Sequence, residues 1–239
     1  SLGTSSLTGV TVRGGFAPDW GGGISFQGYM LLMTDCVFAS NFAVQGGGGI
    51  ACTEGRLNKC YLTATRCVFR DNVALGANGG AIGTEPIAIG EIRSAVTMID
   101  SVVQDNIAAL DGGGLKVLYA TLTDCEVVGN VANAGMGGGL AADVVLTDAR
   151  VSGNKAGSAG GGIAILRAEQ KTSCTRCVIA GNMAGGRGGG IYKEAGRGYA
   201  LDLSETSVAE NTAGEAGGGV WWDGPGSVSR TTLHGNVSR

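Results

Sequence analysis

Proline, histidine and charged residues are scarce in this chain, and each shortage removes a class of function. One histidine, His234, among 239 residues leaves no histidine-rich zinc site and no Ser-His-Asp triad to build. Its place in a bend near the end of the sequence reads as surface decoration. Lysine and arginine total 17 against 20 aspartates and glutamates, a net charge of −3, so no basic footprint points to nucleic acid or an anionic membrane. No uninterrupted apolar run approaches the ~18 residues of a membrane-spanning helix. The first residues, SLGTSSLTG, lack the charged and apolar regions of a signal peptide, so a secreted protein would carry that signal upstream of this sequence. Only 3 prolines accompany 46 glycines, and no Gly-X-Y period occurs, which excludes collagen. Disorder is excluded as well, because 44% of the residues are hydrophobic and can bury a core.

What is present is a repeat. Asparagine recurs at Asn41, Asn72, Asn106, Asn130, Asn154, Asn182, Asn211 and Asn236, with Gly15 in the same slot of an earlier copy. The mean spacing, (236 − 15)/8, is about 28 residues, the length of a solenoid coil. A glycine run closed by an aliphatic residue follows every slot but the last, as in Gly21–Ile24, Gly47–Ile50, Gly79–Ile82 and Gly112–Leu115. It returns in Gly137–Leu140, Gly160–Ile163, Gly188–Ile191 and Gly217–Val220.

The slots show which way side chains point. Three positions before the asparagine every copy is apolar, from Val12, Phe38 and Phe69 through to Leu233. Two residues earlier every copy but the first is small, as at Cys36, Ser101 and Thr206. That i, i+2 spacing predicts two inward positions on one short strand. A strand upstream carries inward Leu7, Met33, Met98 and Leu122, and a third starts at the aliphatic residue, with inward pairs such as Ile24/Phe26 and Ile163/Ile165. Two residues after the asparagine stands alanine, from Ala17 to Ala213, which predicts a packed inner corner. Threonine followed by a charged residue, as in Thr123-Asp124, marks the corner between the first two strands; no Thr-x-Thr array is read, which sets ice binding aside. Leucine-rich and helical repeats need a consensus or a 3.6-residue period that is missing here. The expected fold is all-β: a right-handed parallel β-helix of about nine coils, three short strands each, forming a single domain over residues 1–239. At ~4.8 Å per coil the rod is about 43 Å long.

Phe69-Arg70-Asp71-Asn72 followed by Gly79-Gly80-Ala81-Ile82 resembles the FxxN and GGAI repeats of chlamydial polymorphic outer membrane proteins, and Phe38–Asn41 with Gly47–Ile50 is nearly as close. The other copies depart, with Val, Ile or Leu for Phe and GGG for GGA. The resemblance spans essentially the whole chain. It implies the pectin-lyase-like β-helix fold and an adhesive or structural role on a cell surface.

Three features are candidates for more than stacking. Charged residues six before the asparagine, Asp35, Arg66, Asp100, Asp124, Asp148, Arg176, Glu205 and Arg230, read as an exposed charge ladder, alternating in sign over Asp35/Arg66/Asp100 and over Asp148/Arg176/Glu205/Arg230. The sharper reading, a metal or catalytic site at Asp100, Asp124 and Asp148, is disfavoured because these residues occupy a repeat slot. No catalytic residue, metal or cofactor is expected, and the chain is read as not an enzyme. Tyr192 and Trp221 share one outward slot and Trp222 follows, so these three are the candidate binding residues for a sugar ring or a protein partner; plain stacking of the rings is the simpler account. Among seven cysteines, Cys52 and Cys60 flank an excursion and are the expected disulfide, which points outside the cytoplasm. Cys36 and Cys67 on adjacent coils are a poorer fit to a bridge, and Cys174-x-x-Cys177 falls in inward slots that suit neither redox chemistry nor exposure.

The variable excursions after the third strand, notably Gly83–Ser94, Leu166–Thr172 and Lys193–Gly198, define the edge where recognition is expected. The expected partners are neighbouring domains or other chains, end-on or along that edge, with glycans as further candidates and with neither nucleic acid nor membrane insertion. The absence of capping elements predicts that the sequence is a piece of a longer extracellular or cell-surface protein. The reading is of a structural or adhesive module, with a carbohydrate-binding or polysaccharide-active β-helix as the alternative.

Overall fold

The computed structural model describes residues 3–53, 59–84, 93–166, 170–194 and 199–239. The first coil shows the pattern of all: β1 (Thr4–Thr8), β2 (Thr11–Arg13), β3 (Phe16–Ala17) and β4 (Ile24–Phe26). Each strand pairs in parallel with its equivalent one coil away. The equivalents of β2 make one nine-stranded sheet and those of β3 another, while the equivalents of β4 and β1 together make a third, 15-stranded sheet. The chain is a parallel β-solenoid with three parallel sheets: eight full turns, and a ninth that reaches its third strand at Val237–Ser238.

The three sides are not distributed as the sequence suggested. The strand that starts at the aliphatic residue lies in the same sheet as the first strand of the following coil, and in Leu115–Thr123 and Leu140–Thr147 the two are one continuous strand. The third side is the two-residue β3 type, and the recurring alanine is its inward member instead of a corner residue; Ala43 pairs with Ala74 and Ala74 with Ala108. A strand of two residues gives little periodicity to read. The small slot also moves: Cys36 precedes its strand, Val37–Ala39, and points inward from the bend.

The corners have a common backbone cause. The charged residue after each threonine is itself the bend, with φ of 54° at Asp35, 52° at Arg66 and 52° at Arg176. Aspartate tolerates this left-handed region, whereas arginine and glutamate are uncommon there. The threonines are the last residues of the strands before it, facing out, and two Thr-x-Thr pairs do occur, at Thr63/Thr65 and Thr121/Thr123. Leu32, Ile99, Val145 and Asp202 interrupt those outward columns. The glycine run supplies another bend: its first residue has φ near +65° at Gly47, and a Cβ on its second, Gly48, would meet the Gly80 carbonyl oxygen at 2.5 Å. The third position is roomier, and Ala81 occupies it fully buried.

Inside, like stacks on like. Phe38 and Phe69 are buried with parallel rings 5.0 Å apart, and the leucine, isoleucine and valine columns fill the rest of the core. The asparagines form a continuous ladder. Nδ2 of Asn41 donates to Oδ1 of Asn72 at 2.9 Å, and the pattern repeats at 2.9–3.0 Å through Asn106, Asn130, Asn154, Asn182, Asn211 and Asn236. Each Nδ2 also donates to a carbonyl of the preceding coil, as Asn72 does to Phe38 at 3.0 Å. The same Oδ1 accepts the backbone N–H of the previous asparagine, so these buried amides leave little unsatisfied.

Candidate functional site

Beyond the core, a second structure runs along the outside. The residue between each inward pair of the β4-type strands points outward, yet Ala51, Gly83, Ala141 and Ala164 are buried. They are covered because the left-handed glycine bend folds the residue before it back beside the strand. A Cβ on Gly83 would meet the Asn78 carbonyl oxygen at 2.6 Å, and Lys116 Nζ lies 3.5 Å from Asp111 Oδ2. This ridge is itself laddered, with Gly21 donating to the Gly46 carbonyl and Gly47 to that of Asn78. Ridge and strand enclose an outer groove whose filling varies: Lys116 on the strand meets Asp111 on the ridge, while Met136 and Ala159 on the ridge belong to the cluster that holds Ala164 and Tyr192.

Toward the C-terminal end the groove is full. Tyr192 and Trp221 pair in register and stack at 4.9 Å with planes 10° apart. Ala159, Ala164, Met136 and Leu166 pack around them as a cluster separate from the main core. Arg187 sits 5.1 Å from the Trp221 ring centre and reaches Glu215 at 3.1 Å. Tyr192 is buried, which raises its phenol pKa. The candidate trio is therefore divided. Tyr192 and Trp221 come together as a packed stack, and Trp222 does not join them, because it occupies the inward slot opposite Lys193 and stands exposed.

At the N-terminal end the same groove is open. An open cleft of about 490 Å³ lies there, lined in part by Ala17 and Pro18. Trp20, Asp19, Ser25, Gln27 and Thr53 complete its lining. The Trp20 ring rests on Gly46, where a Cβ would come within 2.5 Å of Cζ3. Ser25 and Thr53 hydroxyls are 3.2 Å apart, and the Thr53 N–H donates to the Phe26 carbonyl. Sequence reasoning missed this cleft. Its signal was an indole at position 20, in a slot that elsewhere holds Gly46, Asp111 or Ala159.

The charge ladder is formed in part. Arg66 grips Asp35 through two bonds of 2.7 and 3.0 Å, Arg176 grips Asp148 through two of 2.7 and 2.6 Å, and Arg230 reaches Glu205 at 2.6 Å. The guanidinium hydrogen bonds hold the Asp35 and Asp148 carboxyls below their usual range. Among the described residues no three His, Cys, Asp or Glu side chains group as a metal site, and Asp148 is spent on Arg176.

Cys52 and Cys60 are bonded, and Cys36, Cys67, Cys125, Cys174 and Cys177 are free and buried. Burial pushes the Cys125 thiol up to about 11, so it is inert at neutral pH. Lys193 was placed in an excursion by sequence, but it is the inward residue of Ile191–Lys193, fully buried, with Nζ donating to the Asp223 carbonyl at 2.8 Å. A charged residue two places after the aliphatic one was the available sign. Most of the excursion residues expected to vary lie outside the described residues.

Compared with models of protein families, with curated proteins and with solved structures, the chain matches none of them. No helix among the described residues is long and apolar enough to cross a membrane.

Proposed function

We propose that this chain is a non-catalytic structural or adhesive module of an extracellular or cell-surface protein, a right-handed β-helix of the type repeated in chlamydial polymorphic outer membrane proteins. Right-handed winding is the rule for parallel crossover connections. The observation that carries the reading is the use of distinctive residues: the asparagines, alanines and glycine runs serve coil-on-coil stacking. Of Asp100, Asp124 and Asp148, the carboxylates a metal or catalytic site would draw on, Asp148 is instead paired with Arg176. The Cys52–Cys60 bond supports an oxidising compartment. Neighbouring domains or further chains would engage the rod end-on or along its loop edge. Antibody labelling of intact source cells tests the placement, and retention of chain-coated beads on those cells against albumin-coated beads tests adhesion. Label that appears only after permeabilisation, or beads that wash off equally, would overturn the reading.

A further inference from the structure

We infer that the open N-terminal end of the outer groove is a binding site for a neutral oligosaccharide; this rests on the adhesive reading and names its ligand. The repeat argues that the cleft is more than a leftover of the fold. Other coils close the groove with small or matched side chains, and they stack without an aromatic ridge residue, so packing does not call for an indole at Trp20. Its ring is set in advance, resting on Gly46, and Thr53 across the cleft directly follows the disulfide-anchored strand Ile50–Cys52. A cavity of about 490 Å³ lies within the range of small-ligand sites.

The lining selects the ligand class. No described lining residue is cationic, which disfavours phosphate, sulfate or carboxylate ligands. One carboxylate, Asp19, one amide, Gln27, and two hydroxyls, Ser25 and Thr53, offer acceptors and donors at short range around one aromatic ring. That set matches a sugar, whose C–H face packs on an indole while its hydroxyls bond to acid and amide groups.

The test titrates the chain with cello-, xylo-, laminari- and chitohexaose, read by saturation-transfer NMR. At least one is expected to bind, with Trp20→Ala weakening it by about tenfold or more and Gln27→Ala weakening it less. Ser25→Tyr, which plugs the cleft, is expected to abolish binding, and Lys155→Ala, exposed on another side of the rod, to leave it unchanged. Thermal melts establish that each variant is folded; if Trp20→Ala does not fold, Ser25→Tyr carries the test. Binding that survives in a folded Trp20→Ala or Ser25→Tyr chain overturns the proposal, as does binding of extended peptides with none of the four sugars. If chain-coated beads still adhere while no sugar binds, the cleft assignment falls and the adhesive reading stands.

Discussion

The two ends of the outer groove are built from the same backbone and meet opposite fates. Near Trp221 two stacked rings fill it, cushioned by alanines on ridge and strand. Near Trp20 the aromatic side chain sits on the ridge, the strand offers only Ser25, and the space remains open. One tryptophan is thus used for packing and the other frames a cavity. The difference comes from which side of the groove carries the ring, while the core beneath is the same at both ends.

The largest expected effect tests that shared core. Asn72→Ala and Asn182→Ala each remove a buried amide that bonds in both directions, and each should cost about 3–4 kcal/mol in urea unfolding, alike in the two halves. A large difference between them would show that the ends differ in the interior too. Next comes the groove. Tyr192→Ala should cost about 3 kcal/mol by leaving a cavity beside Trp221, whereas Trp20→Ala should stay within about 1 kcal/mol, since its ring walls an open space. Equal losses would erase the contrast.

The smallest effect is electrostatic. The Asp35 and Asp148 carboxyls are held below their ordinary 3.8, so their contribution is full above that value and is lost as pH falls through the lowered ones. Both pairs are exposed, so the gain is slight. Arg66→Met and Arg176→Met should each lower the melting temperature slightly at neutral pH, and the deficit should vanish in acid. A deficit that persists there would mean that the arginines act through packing.

The interior was legible because each slot is sampled eight or nine times, so Val12, Phe38 and Phe69 report one environment despite their differences. The Cys52–Cys60 bond was legible for another reason, since the two cysteines stand only eight positions apart across one excursion. The groove was not legible. Its chemistry lies in pairs such as Trp20 with Ser25 and Asp111 with Lys116, which vary from coil to coil and meet only because a left-handed glycine bends the ridge back. Nor could Arg66, Arg176 or Glu205 be read as left-handed corners, because such residues seldom adopt that backbone. The alanine was read correctly as inward and small but was assigned to a corner, because a two-residue strand leaves no alternation to detect.

The asparagine ladder gives the rod an electrical direction. Every ladder amide turns its oxygen toward the preceding coil, and from Asn41 to Asn211 one N–H of each points to the next coil while the other returns to a carbonyl behind it, so the Oδ1 dipoles share one sense along the axis. The sheets contribute little of this kind, since successive peptide groups along each strand point alternately up and down the axis and cancel. A charged partner approaching the rod end-on would therefore meet opposite fields at its two faces. Rods aligned nose to tail would reinforce that polarity, and rods meeting nose to nose would oppose it.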